Sequence, residues 1–85
     1  MALDILYFAW VRESVGVPSE RVEPPANVVD VTGLIGWLAA RSEGHARAFA
    51  DIGRLRAAVD QAFVGLDASI VGAREIAIFP PVTGG

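Results

Sequence analysis

Residues 75–81 read Glu75-Ile76-Ala77-Ile78-Phe79-Pro80-Pro81, and they set the frame for the rest of the chain. Branched and aromatic side chains make Glu75–Phe79 a strand. The two prolines end it, because neither can donate a backbone N–H to a neighbouring strand. An equally apolar run opens the chain: Leu3-Asp4-Ile5-Leu6-Tyr7-Phe8-Ala9-Trp10-Val11. Read as a strand, it puts Leu3, Ile5, Tyr7, Ala9 and Val11 on one face and Asp4, Leu6, Phe8 and Trp10 on the other. Strands that are apolar on both sides are covered on both sides or offer one to a partner. The first and last strands are therefore expected to lie side by side in the middle of a sheet.

The elements between them fill in the sheet. Arg12–Gly16 reads as a hairpin turn, and Ser19–Glu23 as a polar edge strand with Val22 inward, stopped by Pro24 and Pro25. Asp30 is placed to cap a helix from Val31 to about Arg41. Val31, Leu34, Ile35 and Leu38 form its apolar stripe. Gly33 and Gly36 weaken that helix by roughly 1 kcal/mol each relative to alanine, and a close approach to the sheet would account for them. Gly44 marks a break. A second short helical turn over Ala46–Ile52, carrying Phe49, precedes two short strands, Ala57–Asp60 and Phe63–Leu66, and a loop over Asp67–Gly72. The order gives an α+β domain with one main helix packed across one face of a mixed sheet. This is the pattern of the β-grasp, or ubiquitin-like, fold.

Composition narrows the function. At 85 residues there is room for one core. Residues 1–79 are assigned to the domain and 80–85 to an extended tail. The longest apolar run, Ile5–Val11, is seven residues, against the ~20 needed to span a bilayer. No secretory signal opens the chain, so a cytoplasmic protein away from membranes is expected. Seven arginines are scattered from Arg12 to Arg74 against ten acidic residues, which argues against a nucleic-acid stripe. There is no lysine and no cysteine, and a single histidine, His45. Thiolate catalysis, disulfides and sulfur- or histidine-based metal sites are excluded. His45 itself reads as a surface imidazole without a role. With 53% apolar residues, so small a domain is expected to leave apolar surface for a partner.

The tail carries the chemistry. Pro80 and Pro81 hold an extended path after the last strand, followed by Val82, Thr83, Gly84 and Gly85. Glycines can thread a channel where any Cβ would clash. The one reactive group at the tip is the α-carboxylate of Gly85. On the sheet, Ile5, Tyr7, Ile76 and Ile78 are expected to face the helix. Phe8, Ala77 and Phe79 then face away from it and Phe63 joins them. They form either a docking patch with Arg12 as a rim ion-pair donor, or a second small core under the loops.

The run Phe79-Pro80-Pro81-Val82-Thr83-Gly84-Gly85 resembles the ending of the MoaD-type small subunits of molybdopterin synthase. The likeness extends to Leu6-Tyr7-Phe8-Ala9, Val11-Arg12-Glu13 and Ala57-Ala58-Val59-Asp60-Gln61, nearly the whole chain. Asp60, where the family often has asparagine, and Ala73-Arg74, where an acidic residue is common, depart from it. The resemblance implies a sulfur carrier that binds no cofactor of its own. A ubiquitin-activating-like adenylyltransferase (MoeB-type) would use ATP to adenylate Gly85, and a sulfur donor protein would convert it to a thiocarboxylate. A MoaE-type large subunit would then receive the tail and pass its sulfur to a pterin precursor. The catalytic residues would lie on that large subunit, in an assembly with two copies of each chain. The alternatives are a carrier for thiamin or cysteine synthesis, or a ubiquitin-like protein modifier.

Overall fold

The computed structural model describes residues 2–81. Five strands form one sheet: β1 (Leu3–Tyr7), β2 (Ser19–Val22), β3 (Arg56–Val59), β4 (Ala62–Val64) and β5 (Glu75–Phe79), in the order β2-β1-β5-β3-β4. The first and last strands are central neighbours and run parallel, with Ile5 opposite Ile76 and Tyr7 opposite Ile78. The remaining pairs are antiparallel.

Alternation sorts the strand residues between two faces. Leu3, Ile5, Tyr7, Ala57, Ile76 and Ile78 are buried in one cluster with Val31, Leu34, Ile35 and Leu38 of helix α2 (Val31–Ala39). The Asp30 side chain starts that helix by accepting the Gly33 N–H at 2.7 Å. Gly33 and Gly36 do not face the sheet; both are exposed. A Cβ on Gly33 would come within 3.0 Å of the capping carboxylate, and one on Gly36 would meet nothing.

The region after β1 departs from the strand-and-turn expectation. The chain leaves the sheet at Tyr7, bends through Ala9 at a φ of +54°, and forms helix α1 (Ala9–Val15). Val11 is fully buried in the same core. A run of apolar residues this short fits either period, and the local trace of the helix is Gly16. It ends α1 at a φ of 99°, donating its N–H to the Arg12 carbonyl, a left-handed cap that glycine favours.

Helix α3 (Glu43–Ala48) packs against α1 and, with a 3-10 turn at Ile52–Arg54, replaces the single helical turn expected later in the chain. The close approach in this molecule lies here. Ser14 Oγ donates to the Gly44 carbonyl at 3.0 Å. A Cβ on Gly44 would sit 2.4 Å from the Ser14 carbonyl oxygen.

Candidate functional site

Beyond Phe79 the described chain continues through Pro80 and Pro81, both half-buried. Val82, Thr83, Gly84 and Gly85, assigned above to the tail and its reactive tip, lie outside the described residues. The geometry of the site is therefore that of the arm's base and of the sheet face beside it.

Among the described residues that face carries no helix, and its residues fall in rows. Leu6 is opposite Ala77, Ala77 is opposite Ala58, and Ala58 is opposite Phe63. In the next row, toward the arm, Phe79 is opposite Arg56. The Phe63 and Phe79 rings meet at a centroid distance of 5.6 Å and a 52° tilt, within the range of favourable aromatic pairs. Phe63 is nonetheless 83% exposed. With Arg56, Ala57 and Val64 the two rings line a shallow depression of about 240 Å³. Arg56 folds back over the rim, its Nη1 donating to the Leu55 and Gly53 carbonyls at 2.7 and 3.2 Å.

The other end of the same face is acidic. Asp4 is opposite Glu75, and Arg21 Nε lies 3.8 Å from Asp4 Oδ1. The face thus grades from apolar at the arm's base to charged at the far edge, where Asp60 closes it. Asp60 and Gln61, at φ values of 48° and 72°, form the two-residue turn between β3 and β4. Left-handed backbone at both positions is what such hairpins need. Asp60 Oδ1 also accepts the N–H groups of Arg74 and Glu75 at 2.9 and 3.0 Å, fastening the turn to the start of β5.

The structure therefore brings Phe63, Ala77 and Phe79 onto one bare face. Phe8, 46% exposed, follows the last residue of β1 and takes no part in the ring pair. Arg12 is on α1, not on a strand, and is exposed there without an ion pair among the described residues. No group of three or more His, Cys, Asp or Glu side chains among the described residues could hold a metal.

His45 is a correction. It is buried, at 7% exposure, and its Nε2 lies 2.6 Å from Glu20 Oε2, the same oxygen that accepts the Tyr7 hydroxyl at 2.6 Å. Sequence pattern missed this cluster because its members stand on three elements, 13 and 25 residues from Glu20. The signal that could have found it is Ser42 three residues before His45, a helix-start spacing that turns the ring toward the body of the fold.

A mixed sheet with parallel central first and last strands and one helix-covered face defines the ubiquitin-like β-grasp class. The chain resembles SAMP1 of Haloferax volcanii in this respect, with a TM-score of 0.74 over 100% of both chains at 23% identity. It belongs to the ThiS family, whose profile matches residues 5–85. It is 42% identical to the molybdopterin synthase sulfur carrier subunit of Escherichia coli, covering 98% of this chain and 99% of that one. The protein of the same name from Haemophilus influenzae is 34% identical over the same shares.

Proposed function

We propose that this chain is the sulfur-carrier subunit of a cytoplasmic molybdopterin synthase. The observation that carries the reading is the 42% identity to a protein of that function across essentially both full lengths. The residues fit the chemistry. With no cysteine anywhere in the sequence, sulfur cannot ride on a side-chain thiol, which leaves the Gly85 carboxylate. A carboxylate is a poor acyl donor until one oxygen becomes a good leaving group. In this reading a MoeB-type adenylyltransferase supplies one: the carboxylate attacks the α-phosphorus of ATP and pyrophosphate departs. A sulfide-level sulfur nucleophile released by the donor then attacks the acyl carbon, the C–O bond to AMP breaks, and a thiocarboxylate remains. The Phe63–Phe79 patch docks a MoaE-type large subunit, which aims the tip at its pterin precursor and draws the sulfur from it.

Intact-mass measurement tests this directly. Incubated with the adenylyltransferase, ATP and the sulfur donor, the chain gains the mass of one oxygen-to-sulfur exchange. A chain lacking Gly84 and Gly85 gains nothing yet melts at the same temperature, since the tail is assigned outside the core. Accumulation of conjugates to other proteins' lysines, with no thiocarboxylate, would identify a modifier instead.

A further inference from the structure

The part-buried polar cluster behind the sheet has no place in the sulfur chemistry proposed above. Tyr7 is the last residue of β1, Glu20 lies in edge strand β2, and His45 lies in the first turn of α3. An ionised carboxylate only accepts hydrogen bonds. Glu20 Oε2 therefore accepts hydrogen bonds from the Tyr7 hydroxyl and from an N–H at His45 Nε2, both at 2.6 Å. On the other side of the ring His45 Nδ1 lies 2.7 Å from the Ser42 hydroxyl oxygen. The same Ser42 oxygen accepts the His45 backbone N–H at 3.1 Å. Every polar atom of the cluster is satisfied, and one carboxylate oxygen joins three elements.

We propose that Tyr7, Glu20 and His45 form an acid-release clasp that holds edge strand β2 and helix α3 against the end of the sheet from which the arm departs. Tyr7 is opposite Ile78, one residue before the end of β5, so the clasp sits behind the arm's base. The charged group facing Glu20 from the end of α2 is Arg41, whose Nε lies 3.6 Å from Oε1. From β1 and β5, Asp4 and Glu75 border the groove along β2 that Glu20 and Arg21 also line, and Arg21 leans toward Asp4. On α3 the remaining charges, Glu43 and Arg47, are exposed.

Burial works against the Glu20 charge, but the hydrogen bonds from Tyr7 and His45 and the positive charge nearby outweigh it and hold the carboxyl below its ordinary 4.5. A carboxyl depressed in the folded state stabilises the fold above its unfolded value and ceases to do so as pH falls through the folded one. Once Glu20 is neutral, Arg41 loses its counter-charge and the two hydrogen bonds to Oε2 lose their charge assistance. The clasp is therefore closed at neutral pH and is released as pH falls through the lowered folded-state value of Glu20.

Amide hydrogen exchange on the full chain, corrected for intrinsic rates, tests the clasp independently of any sulfur chemistry. On acidification below pH 4.5, residues 19–22 and 43–48 lose protection before the β3–β4 hairpin does. In E20Q those two segments are already less protected at pH 7, by about tenfold or more, as expected for loss of hydrogen bonds to a charged group. Their protection then changes less with acid than in the wild type. Equal protection of E20Q and wild type at pH 7, or parallel loss in acid, overturns the proposal. The ¹³C shift of the wild-type Glu20 carboxyl decides the case even if E20Q does not fold. Its midpoint lies below 4.5 and moves up in Y7F; a midpoint at or above that value, or one unmoved in Y7F, sinks the clasp.

Discussion

β1 and β5 turn one face into the core shared with the helices and the other to no helix among the described residues, and the two faces are built differently. On the covered side Ile5, Tyr7, Ile76 and Ile78 are at most 1% exposed and pack against Leu34, Ile35 and Leu38. On the bare side the same strands carry Leu6, Ala77 and Phe79, only partly buried, beside a Phe63 that is 83% exposed. Folding alone accounts for the first face. It does not account for the second, because a large apolar side chain left in water contributes little to the stability of its own domain. The difference separates residues that hold the body together from residues that the fold itself does not require.

The largest effect falls on the covered side. Leu34→Ala removes a side chain with no exposure at the centre of the core. Such truncations cost about 2–5 kcal/mol, which for a domain of this size lowers the melting temperature by roughly 10 °C or more. Thermal unfolding followed by circular dichroism checks it, and a shift of a degree or two would erase the contrast between the faces. Next comes Gly44→Ala. Alanine favours a helix by about 1 kcal/mol over glycine, but here its Cβ would meet the backbone carbonyl oxygen of Ser14 at 2.4 Å. The expected outcome is a net loss of about 1–3 kcal/mol, read as a lower urea midpoint. A gain in stability would show that α1 and α3 can separate freely.

Much of this architecture was legible in the residues, for a physical reason. Period-two alternation in Glu75–Phe79 and in the first five residues of the opening strand reports directly which side chains are inside. The Asp30 cap and the Val31–Leu38 stripe report the main helix in the same way. The failures share a cause as well. From Ala9 to Val15 the apolar spacing fits strand and helix alike, and a tertiary fact decides: Val11 fills the core from above the sheet, not from within it. Gly44 reads as a break, yet it serves a contact with Ser14, 30 residues away. His45 looks idle until the fold brings Glu20 to it. At Asp60 the positive φ and the two accepted N–H groups explain why a short polar side chain stands there. The sheet face of the candidate site was readable because it follows alternation. The polar clasp was not, because no local period encodes contacts between distant elements.

The smallest expected change in stability is also the one that most sharpens the contrast between faces. Phe63→Ser takes away a ring that is largely in water, so its stability cost is expected within about 0.5 kcal/mol, as for ordinary surface positions. What it does lose is the ring pair with Phe79 and one wall of the depression at the arm's base. Aromatic anchors buried at an interface commonly contribute 2 kcal/mol or more to binding. Affinity for a MoaE-type subunit, measured by calorimetry, should therefore fall by roughly thirtyfold or more, at 1.4 kcal/mol per factor of ten. Melting should be unchanged. Were melting to collapse while affinity held, Phe63 would belong to the body of the fold, and the bare face would be a second core instead of a docking surface.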